Sequence, residues 1–169
     1  MEIVPATPRD AEGIAGVHVN AWQTSYRGIV SDAFLDAMNV EDRTKRWLAL
    51  LADPNCEILV AKGQERVLGF VSFGRHRERQ SSPEQGEIWT IYVHPQAWRS
   101  GVGRSLMTEA LSTLGRSGYG STWVWVLAAN SQAIAFYSSC AFKPQPQSLR
   151  RFQLGEQYLE EVALVHNAA

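Results

Sequence analysis

The chain has 169 residues, 45% of them apolar, enough to bury the core of one domain and too few for two ordinary ones. Its formal net charge of −1 provides no basic field to draw in DNA, RNA or an anionic membrane, so neither a nucleic-acid nor a membrane partner is expected. No apolar run is long enough to span a bilayer, and Glu2, Arg9 and Asp10 occupy the stretch where a signal-peptide core would lie, which points to the cytoplasm.

In chain order, Glu2 to Ala6 reads as a first strand and Thr7-Pro8-Arg9-Asp10 as a helix start with proline in its first turn. That helix is predicted to reach Tyr26, with Ile14, Val17, Ala21 and Trp22 at helical spacing, and a second helical region spans Ser31 to Leu51 with a break near Asn39. Three strands follow: Glu57 to Lys62, Arg66 to Arg75 and Glu87 to His94. The tight turn Gly63-Gln64-Glu65 joins the first two. Cys56 and Cys140 lie far apart without a neighbouring His or Cys, so both are read as reduced, buried small residues. His18, His94 and His166 have no companion ligands, and no metal is expected.

At Val93 to Leu106 an apolar strand runs into a glycine turn that opens a helix. The first amides of a helix have no carbonyl one turn back and point along the positive end of the helix dipole, so an anion fits there. Gly101 and Gly103 clear side chains from the approach, and Arg104 and Ser105 add a charge and a hydroxyl. Arg99, Ser100, Gly101, Val102, Gly103, Arg104 and Ser105 are therefore the expected phosphate cradle. It is not a nucleotide P-loop, which needs Gly-Lys-Ser/Thr, nor a dinucleotide fingerprint, whose third glycine is replaced by Leu106. The helix is predicted to run to Arg116 and to bury Val102, Leu106, Ala110, Leu111 and Leu114 on one face.

Ser121 to Leu127 reads as a strand rich in Trp and Val, and Asn130-Ser131-Gln132-Ala133-Ile134-Ala135-Phe136-Tyr137 opens a short helix ending near Cys140-Ala141-Phe142. With both motifs in register, residues 85 to 143 resemble the GNAT superfamily of acyl-CoA-dependent N-acetyltransferases, in which the glycine turn cradles the coenzyme A pyrophosphate. Two positions depart from the pattern. Trp98 stands where Gln or Arg is usual, and Ala141 stands where the family has glycine after the short helix, so the beta carbon would strain a left-handed cap and the helix is expected to end in a different turn. Arg150 to Leu154, Gly155-Glu156 and Tyr158 to Val165 read as a final hairpin. Pattern alone gives a mixed α/β domain without strand order; the resemblance implies a twisted, mixed, mostly antiparallel sheet with helices on both faces, in one domain over residues 1–169.

The resemblance also implies the chemistry, which is acetyl transfer from acetyl-CoA to a primary amine by direct attack in a ternary complex. An alkyl ammonium holds its proton to about pH 10, so a base has to help at neutral pH. Glu87 lies where several members carry a catalytic glutamate; the alternative has it capping the strand edge in solvent, and Glu84 is a weaker substitute. The main chain of Ile91, Tyr92 and Val93 is placed to pair with the pantetheine arm, while their side chains read equally well as core. Tyr137 falls at the general-acid position, against the alternative of a buried tyrosine with a satisfied hydroxyl. Asn130 is expected to bond backbone or pantetheine, and an ordinary helix N-cap explains it as well.

Trp22 and Tyr26, four apart, share a helix face and are either acceptor-pocket lining or core. The cluster Arg75-His76-Arg77-Glu78-Arg79 suits an acidic acceptor or a solvated loop. Cys140, at a helix end beside apolar neighbours, is not an acyl carrier. A non-catalytic acyl-CoA-binding sensor and a protein-modifying acetyltransferase with an open groove are the other readings. The acceptor, small molecule or peptide, stays open, and so does a homodimer.

Overall fold

A computed structural model of the protein describes residues 1–64, 66–78 and 81–168. Strand β1 (Glu2–Pro5) leads through a single 3-10 turn at Pro8–Asp10 into helix α1 (Ala11–Ser25), followed by α2 (Asp32–Asp36) and α3 (Val40–Leu51). The predicted break at Asn39 is a cap: its backbone is extended and its side-chain oxygen accepts the Asp42 amide at 2.9 Å, satisfying a donor the new helix cannot use. Then come β2 (Glu57–Lys62), β3 (Val67–Arg75), β4 (Gln85–Val93), α4 (Val102–Arg116), β5 (Ser121–Leu127), α5 (Ser131–Ser139), β6 (Lys143–Pro144), β7 (Arg150–Leu154) and β8 (Gln157–Asn167).

The sheet order is β1-β2-β3-β4-β5-β8-β6, with β7 also on β8; every pairing is antiparallel except β4 with β5. This is the mixed, mostly antiparallel sheet expected. The strand period of two sorts its apolar residues onto two covered faces. Ile58, Val60 and Phe70 pack on Ile14, Ala15 and Trp47 of α1 and α3, while Leu59, Ala61, Val71 and Phe73 pack on Val102, Leu106 and Ala110 of α4. Phe70 and Phe73, on opposite faces of β3, are both fully buried, and each contributes roughly 1.5–3 kcal/mol by leaving water.

The feature that positions the site is where the parallel pair ends. Gln85–Ile88 pairs with Ser121–Val124, and the two strands pair no further. At the same place the register of β3 on β4 shifts from Ser72 opposite Thr90 to Phe73 opposite Ile88, which leaves Trp89 as the extra residue of a bulge. Beyond it, Ile91, Tyr92 and Val93 remain paired with β3 on one side and meet no strand on the other, an edge left open apart from the Val93 carbonyl, which accepts from the Trp98 indole.

Several boundaries and packing expectations are corrected. β4 starts at Gln85, which puts Glu87 inside the strand rather than at its beginning. β6, two residues with a proline, carries too little pattern to read, and β8 extends the predicted final strand at both ends. On α4, Leu111 is only half-buried, and Met107 is the buried residue that the spacing missed. Cys56 and Cys140 are free, as expected, but half-buried rather than buried. Ala141 does adopt the left-handed conformation, at φ 64, and the Phe142 amide bonds back to the Tyr137 carbonyl at 3.1 Å. The cap is therefore the ordinary glycine-type one, kept in spite of its beta carbon. In the β2–β3 turn Gly63 donates to the Arg66 carbonyl at 2.9 Å; Glu65, and Arg79 of the charged cluster, lie outside the described residues.

Candidate active site

The splayed strands open into a cavity of about 820 Å³, within the range of small-molecule sites. Arg99, Gly101, Gly103 and Arg104 form one end of it, Tyr137 and Phe136 of α5 flank the middle, and side chains of α1, β4, β5, β7 and β8 form the other end.

At the first end the backbone does the work. The amides of Arg99, Ser100, Gly101, Val102, Gly103 and Arg104 donate to nothing among the described residues; the Ser105 amide is the first to find a partner, the Gly101 carbonyl at 3.0 Å. The predicted run of free donors thus stops one residue earlier than expected. Gly101 holds φ 87 with open space where a beta carbon would stand, and Arg99 adopts φ 60, a conformation that costs a non-glycine residue about 1–2 kcal/mol. Gly103 has a second role: a beta carbon there would lie 3.3 Å from the Phe136 ring, so glycine lets α4 approach α5. Three expected cradle residues do not line the cavity. The Val102 side chain is core, the Ser100 hydroxyl donates to the Ala97 carbonyl at 2.7 Å, and Ser105 is half-buried. At the other departure from the family pattern, Trp98, the indole N–H donates to the Val93 carbonyl at 2.8 Å and braces the turn against the end of β4.

In the middle, Tyr137 is only 7% exposed, lines the cavity and has no hydrogen-bond partner among the described residues. Burial, reinforced by Tyr26 and Cys140, raises its hydroxyl above the ordinary tyrosine range, so it keeps its proton. Asn130 lies in the wall too, but its side-chain oxygen accepts the Ala133 amide at 3.0 Å, so it is the N-cap of α5. Tyr26, also raised by burial, has its hydroxyl 3.4 Å from that of Tyr92. Behind them His18 stacks on Tyr92 with ring centroids 5.2 Å apart, and its Nδ1 accepts from the Trp47 indole at 3.1 Å; burial drives its pKa down to about 3.

At the far end the same unit occurs twice: a carboxylate holding an arginine that lies on a tryptophan. Glu87 is 3% exposed, which removes the solvent-capping alternative, and both its oxygens accept from Arg77, from the backbone amide at 2.9 Å and the guanidinium at 2.8 Å. Arg77 sits 5.0 Å above the Trp89 ring. Glu161 accepts from Arg150, which sits 3.4 Å above Trp125 and reaches Glu78 at 2.8 Å. The charged cluster is accordingly not a plain solvated loop: His76 is 4% exposed against Trp123, and Arg77 lines the cavity.

The structure thus gathers Glu87, Tyr137, Ile91, Tyr92, Val93, Arg99, Gly101, Gly103, Arg104, Asn130, Trp22 and Tyr26 around one space. Sequence reasoning missed Trp89, Trp125, Phe152, Arg150 and Glu161. Their signal is the alternation of Trp123, Trp125 and Leu127 along β5, which needs the register with β8 before it means anything. Among the described residues no group of His, Cys, Asp and Glu could hold a metal ion, and no helix is long and apolar enough to cross a membrane.

The Acetyltransferase (GNAT) family profile matches residues 19–142. The chain belongs to the GNAT acetyltransferase family. It is similar to the uncharacterized N-acetyltransferase YuaI of Bacillus subtilis, 31% identical over 156 residues that cover 92% of this chain and 86% of that protein. It also resembles the spermidine N(1)-acetyltransferase of Thermoplasma acidophilum, 23% identical over 94% of this chain and 98% of the relative. Among solved structures, the PaiA N-acetyltransferase of Thermoplasma acidophilum in complex with coenzyme A superposes with a TM-score of 0.75 at 20% identity, over 95% of this chain and 96% of that one. This GNAT protein is an acetyl-CoA-dependent N-acetyltransferase. Its own residues fit the co-substrate: free amides for a diphosphate, an open strand edge for an amide-bearing arm, and a protonated phenol in the same cavity.

Proposed function

We propose that the protein acetylates a primary amine directly, with coenzyme and acceptor bound together at opposite ends of the one cavity. The observation that supports this reading is the unpartnered hydroxyl of Tyr137 in the wall of the cavity that the free amides of the turn also reach. Acetyl-CoA supplies a thioester whose C–S bond breaks as the bond from nitrogen to the acetyl carbon forms, releasing a thiolate. The amides from Arg99 to Arg104 hold the diphosphate, with Arg99 and Arg104 adding charge. The open edge of β4 after the Trp89 bulge pairs with the pantetheine arm as a further strand would and turns a backbone N–H toward the thioester oxygen. Tyr137 hands its proton to the departing thiolate and recovers one from the attacking nitrogen. Glu87 is the base to which the resemblance points; with both oxygens accepting from Arg77, it takes the ammonium proton through an intervening water. Among the described residues no cysteine lines the cavity, so no thiol is placed to carry acetyl in a two-step route.

The test is thiol release from acetyl-CoA with a panel of amines, paired with mass measurement of the product. Release that requires an amine and yields a product heavier by one acetyl group is expected. Tight coenzyme binding without release for any amine would establish the sensor reading instead.

A further inference from the structure

We propose that the acceptor is a monoamine on an aryl or alkyl body without a carboxylate, and that its ammonium docks on the free oxygen of Glu161; this rests on the transfer reading above. Strand register places the group. Glu161 lies opposite Leu127 on β5 and Arg150 on β7, so it shares a face with Trp125 and Phe152. Its side chain is only 16% exposed, one oxygen accepts from Arg150, and the other has no donor among the described residues. A half-satisfied carboxylate in a largely enclosed wall is a cation site, because its second oxygen is still free to accept a charge-assisted bond.

Charge and shape narrow the class. The charges lining this end balance, Arg77 held by Glu87 and Arg150 by Glu161, so no unmatched cation is left to take an acceptor's own carboxylate. Glu87 already accepts one bond on each oxygen and meets the amine only through water, so Glu161 is left as the one direct ammonium site, which suits a monoamine better than a polyamine. The remaining wall, Trp22, Phe152, Leu154 and Leu159, suits an apolar body beside the ammonium. Glu161, Tyr26 and Tyr137 line the same cavity.

The experiment uses the whole protein with acetyl-CoA and, as probes, 2-phenylethylamine, phenylalanine (the same body bearing a carboxylate) and spermidine. The expected result is a kcat/KM for 2-phenylethylamine at least about tenfold above the other two. Glu161→Gln should raise the KM for that amine by a similar factor, with coenzyme A affinity unchanged by calorimetry and with partial rescue in Glu161→Asp. In the coenzyme-bound protein, calorimetric binding of 2-phenylethylamine should be lost in Glu161→Gln. Preference for phenylalanine or spermidine, or an amine KM indifferent to Glu161→Gln, overturns the acceptor class and leaves the transfer reading standing. Amine binding through Glu161 without thiol release does the reverse.

Discussion

The two ends of the cavity are built by opposite means. The end proposed for the coenzyme is a single contiguous segment, Trp98 to Arg104, and what it offers is main-chain amides left free by the start of α4. The end proposed for the acceptor is assembled from α1, β4, β5, β7, β8 and the segment after β3, and what it offers is side chains that hold one another: Glu87 with Arg77 on Trp89, Glu161 with Arg150 on Trp125. A backbone cradle tolerates side-chain drift, because what it offers is independent of residue type. A side-chain chamber changes its ligand with every substitution. Within one fold, that difference lets the donor stay fixed while the acceptor varies.

Tyr137 stands where the ends meet, and its loss should be the largest single effect. Tyr137→Phe is expected to lower kcat about 10²-fold or more, with coenzyme affinity intact, read by thiol release and calorimetry. Unchanged turnover would remove the hydroxyl from the reaction.

The packing behind Tyr92 should respond to pH through His18, which stacks on it. His18 titrates near its usual value of 6.5 when unfolded and at about 3 when folded. The unfolded chain therefore binds the proton first, and this contribution to stability is complete above pH 6.5 and lost progressively as pH falls toward 3. At pH 5 the His18 loss is about 2 kcal/mol relative to pH 7.5, visible in urea titrations, and a His18→Gln variant should show a shallower slope, with His76 and His94, also lowered by burial, supplying the remainder. An identical slope in the variant would assign it elsewhere.

Gly103→Ala sharpens the comparison from the other side. Its new methyl meets Phe136, forcing α4 from α5, and should weaken coenzyme A by about tenfold while leaving the acceptor KM unaltered. Equal effects on both constants would mean that the ends are not separable. The smallest effect is expected at the strained cap: Ala141→Gly relieves φ 64 and should stabilise the fold by about 1 kcal/mol without touching kinetics, measured as a shift in thermal midpoint.

The same contrast explains what could be read without coordinates. The turn, the helix it opens, and the Asn130 to Tyr137 segment are local, so spacing and residue type reveal them, and the free amides follow from helix geometry alone. Tyr26 and Trp22 were legible as one helix face, although whether that face met core or cavity depended on strands far along the chain. Glu87 could be placed on its strand but its burial could not, because its partner, Arg77, comes from the other side of a loop. Glu161 was invisible: in the sequence it is one acidic residue of a hairpin, and only the register of β8 with β5 and β7 turns it inward. Ala141 shows the converse, where a rule about glycine pointed away from a turn that the surrounding packing keeps.

The claim beneath all of this is that unpartnered amides between Arg99 and Arg104 hold the coenzyme by its diphosphate. Calorimetry of the folded protein against coenzyme A and against pantetheine, which lacks the diphosphate, tests it most directly. Saturable binding of coenzyme A with at least about a hundredfold weaker binding of pantetheine is the expected result. No heat with coenzyme A, or equal affinity for the two, would contradict it.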